Sequence, residues 1–386
     1  MTTGGAGEAG SAGPLTGLRF VEMAGIGPVP FAAMVLADLG ATGIRIESPR
    51  PGLGLGDPTR DITRRGRDAV VVDVRDELGR ALVVDLIDSA DLLLEGFRPG
   101  VMERLGLGPD DCLARNPALV FGRMTGWGQD GPWARTAGHD LDYIALAGAL
   151  AHIGRAGQPP TPPLNLLGDY GGGSMLLLVG VLAALWEAQR SGRGQVVDAA
   201  MVDGVALLMS LFHGVAAQGL WSDEAGVNLL DSGAPFYDVY RTSDGRWLAV
   251  ACLEPQFYAE WLRVAGLEDE PLPAQYDVAG WPVLRARFAE VIAERTREEW
   301  AAAAEGTDAC VAPVLSMSEA AEHPHLAARG TFVVVDGVTQ AAPAPRFSRT
   351  PAAPPRSVEG SSVRALADWG VEPSRVEDLR SRGVLG

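Results

Sequence analysis

The chain is short of cysteine, histidine and positive charge, and each shortage excludes a class of protein. Its three cysteines, Cys112, Cys252 and Cys310, are scattered and lack the spacing of a metal site, and there are only five histidines. An odd, dispersed set of cysteines predicts reduced cytosolic thiols rather than a disulfide framework. The formal net charge of −17 disfavours nucleic acid and anionic membranes as partners, because both attract basic surfaces.

Targeting signals and long apolar runs are also lacking. Residues 1–14 are mostly Gly, Ala, Ser and Thr with one Glu, so we predict a disordered leader and not a signal peptide. The longest apolar run, 175–186, is shorter than the roughly 20 residues needed to cross a bilayer. We therefore expect a cytoplasmic protein that does not span a membrane.

From residue 18 to 124, short β-prone runs alternate with helical ones. Strands are predicted at 18–22, 43–47, 69–74, 91–94 and 119–124, and helices at 31–39 and 78–89. This spacing predicts a Rossmann-like α/β fold, with a mainly parallel sheet covered by helices on both faces. The glycines at 25 and 27 do not form a G-x-G-x-x-G motif, which disfavours a dinucleotide cofactor.

The pattern changes near residue 225. The runs 236–241 and 246–252 alternate about Ser243-Asp244-Gly245, which predicts an antiparallel hairpin, and helical segments follow. We therefore predict a large α/β domain over 15–224 and a smaller α+β domain over 225–325. A C-terminal segment, 326–386, is expected to return to the large domain.

Three acid–base residues stand in contexts suited to one task. They are His139 in GHDLDY, Asp169 in NLLGDYGGG and Glu254 in LEPQFY. An imidazole and a carboxyl group on opposite sides of a carbon acid can remove a proton from one face and return one to the other. That is the chemistry of a racemase.

Each of the three residues also has a structural interpretation. A lone histidine is more often structural than catalytic, and Asp169 fits the N-cap of a helix. Glu254 precedes Pro255, which is typical of a helix start. The interpretations are compatible for Asp169, because the N–H groups of a helix start near it could hold an enolate oxygen.

Arginines in the N-terminal half could bind an anionic ligand. Taken singly they are interpreted as solvated charges, but strand ends of an α/β sheet form the usual crevice for a nucleotide-like ligand. Guanidinium groups suit phosphates. The residues are Arg45, Arg50, Arg65, Arg67, Arg75, Arg98 and Arg104.

With these motifs the chain resembles the α-methylacyl-CoA racemases of the family III CoA-transferase superfamily, from about residue 14 to 348. The most specific stretches are 138–143, 163–173, 194–203, 253–258 and 308–315. The resemblance implies that His139 and Asp169 are catalytic and that Glu254 bonds the histidine. It also implies an interlocked homodimer of the family III CoA-transferase fold.

The resemblance further implies where the large domain contacts CoA and substrate. The residues are Val72, Asp73, Val74, Arg75, Gly96, Phe97, Arg98, Arg104, Gly138, Asp140, Leu141, Asp142 and Tyr143. The chain departs from the family at Asp142, where racemases often have Asn, at Ser48, where an arginine is usual, and at Asp68, where a basic residue is usual.

The implied function is epimerisation at C2 of 2-methyl-branched acyl-CoA thioesters, in lipid and fatty-acid metabolism, by two-base proton transfer through an enolate. No metal or cofactor is expected, since CoA enters with the substrate. The alternative is CoA transfer to a carboxylate with Asp140 as the nucleophile. A non-catalytic CoA-binding protein is a third hypothesis. Fatty-acyl, sterol side-chain and aryl-propionyl substrates all remain open.

Overall fold

The computed structural model describes residues 13–50, 52, 54, 56–358, 360 and 362–386. The predicted leader, 1–14, lies outside the described residues except for Gly13 and Pro14. The chain forms two compact units. Unit 1 contains the residues up to 147 together with 164–208 and 325–386, and unit 2 contains 148–163 and 209–324. The domain boundaries at 225 and 325 stay a prediction, and 209–224 group with unit 2.

The strands are described in chain order. They are β1 (Arg19–Met23), β2 (Thr42–Glu47), β3 (Arg67–Val71), β4 (Leu92–Glu95), β5 (Val120–Thr125), β6 (Val196–Ala200), β7 (Tyr237–Arg241), β8 (Trp247–Ala251), β9 (Val311–Pro313), β10 (Phe332–Val335) and β11 (Val338–Ala341).

The α-helices follow the same order. They are α1 (Pro28–Asp38), α2 (Glu77–Asp88), α3 (Val101–Arg104), α4 (Pro109–Arg115), α5 (Asp140–Leu146), α6 (Leu176–Ser191), α7 (Met201–Leu208), α8 (Ser210–Ala216), α9 (Pro255–Ala265), α10 (Trp281–Ile292), α11 (Arg297–Ala304), α12 (Met317–Glu322), α13 (Pro324–Ala328), α14 (Ala365–Asp368) and α15 (Pro373–Ser381). Short 3-10 turns lie at Pro58–Arg60, Ile62–Arg64, Leu150–His152 and Val278–Gly280, and a π-helix at Leu166–Met175.

Unit 1 is built on a parallel sheet with the strand order β3-β2-β1-β4-β5-β6, which confirms the predicted α/β class. Successive strand residues point to opposite faces: Val21 packs in one apolar cluster with α2, and Phe20 in another with α1 and α6. Because helices cover both faces, most residues of the central strands are apolar, and the charges among them, Glu22, Arg45, Glu95 and Arg123, are buried. That double burial is why the five predicted strands were recognisable.

The last residues of unit 1 lie along β3, the edge strand of this sheet. Leu385 pairs with Val72, the Asp73 N–H donates to the Val384 carbonyl at 3.1 Å, and the Gly386 N–H donates to the Val71 carbonyl at 3.2 Å. These bonds pair polar backbone groups at the edge of the sheet. They also fix the start of 72–75, a segment predicted to contact CoA.

The helical run before β6 is longer than the apolar segment that predicts it. It extends over Leu166–Ser191, because the glycine-rich stretch before α6 is itself helical. By length and composition these 26 residues could cross a membrane, which corrects the expectation that the run is too short. Core helices of globular proteins can have the same length and composition, and 39% of the most apolar part of this one is buried.

Unit 2 contains the predicted hairpin. Strands β7 and β8 pair antiparallel, from Tyr237 opposite Ala251 to Arg241 opposite Trp247, and β9 adds to β8. Helices α9, α10 and α11 contribute Trp261, Phe288 and Trp300 to a core of their own. This core explains the change of pattern near residue 225, because a small sheet covered on one face needs a separate set of apolar residues.

Candidate active site

Most residues predicted to bind substrate lie in loops at one edge of the parallel sheet. The strand order reverses between β1 and β4, and the loops after these strands, 24–27 and 96–100, flank that point. In open α/β sheets the carboxyl ends of the strands at such a switch point form the ligand crevice. The segment 72–75 follows β3, and the segment 138–143 spans the end of the connection after β5 and the start of α5, so the topology brings the predicted substrate segments to this edge.

Asp169 lies in the first turn of the π-helix, whose N-cap is Asn165, so its interpretation as an N-cap is wrong. The Asn165 amide donates from Nδ2 to Asp169 Oδ2 at 3.0 Å. From the loop after β1, Gly27 approaches the same oxygen so closely that a Cβ would lie 3.1 Å from it. Gly27 has φ 72° and ψ −121°, a conformation that favours glycine. The Asp169 carboxyl therefore sits between an amide and bare backbone.

The Asp140 carboxylate binds the backbone of Asp169. Its Oδ2 accepts a hydrogen bond of 2.7 Å from the backbone N–H of Asp169, and the side chain is only 6% exposed. Gly168 packs so tightly against it that a Cβ would lie 2.6 Å from Oδ2. Asp140 Oδ1 is buried and has no hydrogen-bond partner among the described residues. The predicted substrate-binding residue Asp140 thus turns its carboxylate towards the protein.

This bond reduces the number of expected oxyanion donors. Asp169 lies in the first turn of the π-helix, so N–H groups of a helix start lie near it, as foreseen. Its own N–H, however, is taken by Asp140. A donor already bonded to a buried carboxylate is not available to an enolate oxygen.

His139 immediately precedes α5, and its side chain is exposed. The His139 N–H donates to Asp142 Oδ2 at 2.9 Å, so this departure from the family pattern serves as a helix cap. The Tyr143 hydroxyl donates to the Gly138 carbonyl, and its ring packs edge-on against Trp127 with centroids 4.7 Å apart. These contacts fix the backbone that carries the imidazole.

The titratable groups of His139, Asp140, Tyr143 and Asp169 interact electrostatically. Burial raises the pKa of Asp169, and the nearby Asp140 carboxylate adds to the increase. The hydrogen bond from Asn165 and the charge of His139 lower the pKa of Asp169. Burial also raises the pKa of Tyr143 to about 12, with help from the charge of Asp169, so its phenol stays a hydrogen-bond donor. His139 and Asp169 thus belong to one electrostatic cluster.

Three of the seven arginines are not solvated, contrary to the prediction. Arg45 pairs with Glu22, Arg67 Nε lies 2.9 Å from the second oxygen of Glu22, and Arg65 pairs with Asp38 at 2.5 Å. All three arginines are buried. Arg45 also donates to the Gly25 carbonyl at 3.1 Å. These charges stabilise the sheet and the loop after β1 and do not face an anionic ligand.

The remaining predicted arginines have a different setting. Arg50, Arg75, Arg98 and Arg104 are exposed and form no ion pair within the described part of the chain. The charge of Arg98 lowers the pKa of Tyr143, so the loop after β4 lies near the start of α5. The chain contains no lysine, so a phosphate bound by side-chain charge here would meet guanidinium groups.

Glu95 orders the loop that carries Arg98. At the end of β4 it accepts hydrogen bonds from the Phe97 N–H at 2.7 Å and from Arg123 Nε at 2.8 Å. The carboxylate is fully buried, and burial raises its pKa despite these two donors. Gly96 and Phe97 are therefore held by a buried ion pair at the sheet edge.

Glu254 lies in unit 2, where it is the N-cap of α9 with Pro255 at the first helical position, as predicted. Its side chain makes no capping hydrogen bond and is exposed. Its charge contributes to the raised pKa values of Tyr276 and Cys310, after the larger effect of burial. The structure describes Glu254 within its own unit, and its bond to His139 stays a prediction.

Sequence reasoning missed three residues around Asp169 and the loop after β4. Asn165 precedes Asp169 by four positions, the spacing at which helical side chains meet, and that spacing could have identified it. Gly27 and Glu95 are distant in sequence from the groups they contact, Asp169 and Arg123. No local pattern marks such contacts.

The fold and the motifs match a known family. The model of CoA-transferase family III matches residues 15–358. A solved structure of a CAIB/BAIF family protein from Brucella suis superposes with a TM-score of 0.79 at 25% identity, covering 93% of this chain and 99% of that one. The chain belongs to CoA-transferase family III.

Within the family, the similarity to one group of enzymes is pronounced. The alpha-methylacyl-CoA racemases of Mus musculus and Homo sapiens are each 44% identical to this chain. Both alignments cover 96% of this chain and 97% of the relative.

Proposed function

We propose that this protein epimerises C2 of 2-methyl-branched acyl-CoA thioesters. The observation that carries the proposal is the electrostatic cluster of His139 with Asp169. Burial raises the pKa of Asp169, and the charge of His139 lowers it. A thioester makes the α-hydrogen acidic because the enolate spreads charge onto oxygen. One residue removes the proton and the other, protonated, supplies one from the opposite face. The similarity to enzymes named alpha-methylacyl-CoA racemase supports this reaction.

The two residues exchange roles with the enantiomer. When His139 is the base, Asp169 must be protonated, and burial of its carboxyl favours that form. When Asp169 is the base, His139 donates. In both states the pair of His139 and Asp169 holds one transferable proton, so the same protonation level of the enzyme serves either enantiomer. No metal or organic cofactor is needed in this scheme, because the thioester supplies the acidity.

We infer that CoA is held at the switch-point edge of unit 1. Arg98 and Arg104 would meet its phosphates, the ordered loop at Gly96 and Phe97 would contact its nucleotide, and 72–75 would lie beside it. The unpaired, exposed state of these arginines supports this assignment. Binding energy from CoA would then place C2 at the catalytic pair.

CoA transfer to a carboxylate fits the site less well. That reaction needs a carboxylate that attacks the thioester carbon, and Asp140 is the candidate. Its side chain is 6% exposed, and one oxygen is bonded to the Asp169 N–H. A carboxylate held in this way supports the racemase residue rather than reaching a substrate.

We also propose that the protein is a homodimer that acts in the cytoplasm. Unit 1 exposes large apolar side chains at Met175, Val179 and Trp186 on one helix, and at Leu207 and Leu208 on the next. Soluble proteins rarely leave such a patch uncovered. A second copy is the occupant that the family resemblance implies. Sedimentation of the wild type and of Val179→Glu, expected as dimer and monomer, tests this assignment, and cell fractionation tests the location.

Isotope exchange tests the reaction. Each enantiomer of 2-methylacyl-CoA, incubated with the enzyme in deuterated water, should gain deuterium at C2 and approach the same mixture of epimers. Short, long and sterol-like acyl groups would identify the preferred substrate. Absence of exchange with all of them would remove the racemase assignment. A hydroxylamine-trapped acyl-enzyme together with CoA transfer to free acids would favour the transferase.

A further inference from the structure

The backbone next to Glu254 is held by side chains from a later loop of unit 2. The Gln275 amide donates from Nε2 to the carbonyls of Cys252 at 3.0 Å and Leu253 at 2.8 Å. The Tyr276 hydroxyl donates to the same Leu253 carbonyl at 2.5 Å. Two successive carbonyls before Glu254 are therefore bound by one amide group, and one of them also by a phenol.

Gln275 is itself fixed in place. It is 9% exposed, and its backbone carbonyl accepts a hydrogen bond of 2.9 Å from the indole N–H of Trp281. Trp281 is also buried, and it packs edge-on against Phe236 with ring centroids 6.0 Å apart. Both N–H groups of the amide can be used, one for each carbonyl. A buried side chain on a backbone anchored in this way can set the position of the backbone it binds.

Glu254 depends on its backbone for its direction. Its carboxylate makes no capping hydrogen bond, and no side chain among the described residues is bonded to it. On the C-terminal side, the Tyr258 N–H donates to the Glu254 carbonyl at 2.9 Å and starts α9. On the N-terminal side, Gln275 holds the two preceding carbonyls. The Cα–Cβ direction of Glu254 is thus set from both sides while its carboxylate stays free.

We propose that Gln275 is a positioning residue for the reaction, acting through the backbone of Cys252 and Leu253 to aim the Glu254 carboxylate. This inference rests on the proposed function and on the role that the family resemblance implies for Glu254, a bond to the catalytic histidine. Gln275 does not touch the substrate or carry a proton. A small rotation of the Leu253 peptide moves a carboxylate at the end of a glutamate side chain much further, and misplacement of about 1 Å can cost 10²-fold in rate.

The test is a double-mutant cycle between Gln275 and Glu254. Gln275→Met keeps the length of the side chain and removes both donors. The two carbonyls left behind are acceptors, which proteins leave under-satisfied more readily than N–H groups. We expect kcat for deuterium exchange to fall about 10- to 100-fold with KM nearly unchanged, because positioning and not CoA binding is lost. In the Glu254→Gln background, the same substitution should have no further effect on kcat.

Controls separate positioning from stability. Gln158→Met changes an exposed glutamine of the same unit and should leave both constants as they are. Tyr276→Phe removes only the exposed donor to Leu253 and should give a smaller loss of kcat, again absent beside Glu254→Gln. That variant keeps the proposal testable if Gln275→Met does not fold.

Two kinds of failure are distinct. If the wild type exchanges deuterium but the losses from Gln275→Met and Glu254→Gln multiply, Gln275 acts only on stability and the inference is overturned. A change in KM alone, or unchanged kcat, overturns it as well. If the wild type exchanges no branched acyl-CoA, the proposed function fails and this role fails with it.

Discussion

The carboxyl groups of Asp169 and Glu254 are held in opposite ways. In unit 1 the Asp169 carboxyl is contacted directly, by the Asn165 amide and by the bare backbone of Gly27, and it is partly buried. In unit 2 the Glu254 carboxyl is exposed and makes no capping bond, and only the backbone that carries it is fixed. The contacts of Asp169 act on the carboxyl group itself and set its pKa. The contacts around Glu254 act on the backbone and set the direction of the side chain.

The difference follows from the tasks proposed for the two groups. A group that exchanges protons with carbon needs a pKa near that of its partner, and burial beside a few chosen neighbours raises the pKa of Asp169. A group that orients a histidine needs only to be charged and well aimed. Burial would add nothing to that second task, because desolvation disfavours the charged form.

The largest expected effect comes from removing the acid itself. Asp169→Asn keeps the shape of the side chain but cannot transfer protons, so racemisation should fall about 10²- to 10⁴-fold, the usual worth of a general acid–base group. Glu254→Gln should cost less, since it leaves both proton carriers in place. Rates of epimerisation measured by NMR give the comparison, and circular dichroism confirms folding. A greater loss for Glu254→Gln than for Asp169→Asn would reverse the roles assigned here.

Asp140 should separate support from nucleophilic attack. Asp140→Asn retains an oxygen that can accept from the Asp169 N–H and should keep most of the racemase activity. Asp140→Leu loses that acceptor and should lower kcat about 10- to 100-fold, because the peptide of Asp169 shifts. Steady-state kinetics of both variants decide the matter. Equal, complete inactivation by both substitutions would favour a nucleophilic carboxylate.

Gly27→Ala should affect both stability and activity. The backbone conformation of Gly27 makes a side chain strained, at a cost of about 1–3 kcal/mol, and the new Cβ would lie 3.1 Å from Asp169 Oδ2. Urea unfolding measures the first effect and kcat the second. Gly192→Ala is the control for a positive φ, because Gly192 has the same φ of 72°, with a ψ of 12°, and open space around it. It should lose stability without losing kcat, and a parallel loss of kcat would contradict direct contact with Asp169.

The smallest expected effect is a shift in pH dependence. Asn165→Leu removes a hydrogen bond that lowers the pKa of Asp169, so that pKa rises further. The active enzyme holds one proton on the pair, and acid inactivates it by adding a second. A higher pKa lets that second proton bind at higher pH, so the acid-side midpoint of kcat/KM should move upward. Because both directions start from singly protonated enzyme, the shift should be equal for the two enantiomers, and unequal shifts would contradict the two-base scheme.

The sequence predicted the parts of the fold that are governed by periodic burial. The strands of unit 1 alternate between two apolar clusters, and their runs are visible without any structure. Gly40 follows the first helix with φ 101°, a position and conformation that favour glycine. Glu254 was expected at a helix start for the local reason that a proline follows it.

What the sequence did not reveal depends on contacts between distant residues. Glycines disfavour a helix, but the stretch 171–173 is helical, and it packs against α1 and α7. Arg67 was read as solvated because its partner, Glu22, is 45 positions away. The support of Asp169 by Asp140 spans 29 positions and needs a missing side chain at Gly168. None of these pairs leaves a spacing that a one-dimensional pattern could show.

The close contact between Gly168 and Asp140 bears on how one scaffold could host two kinds of chemistry. Removing the imidazole would not be enough to convert this enzyme to acyl transfer. The Asp140 carboxylate, which would have to attack, is buried beneath the backbone of Gly168. The π-helix would first have to move away from Asp140, and the Asp169 carboxyl would move with it. A change from racemisation to acyl transfer would therefore require remodelling of this turn. Exposing Asp140 as a nucleophile would displace Asp169 and so abolish racemisation.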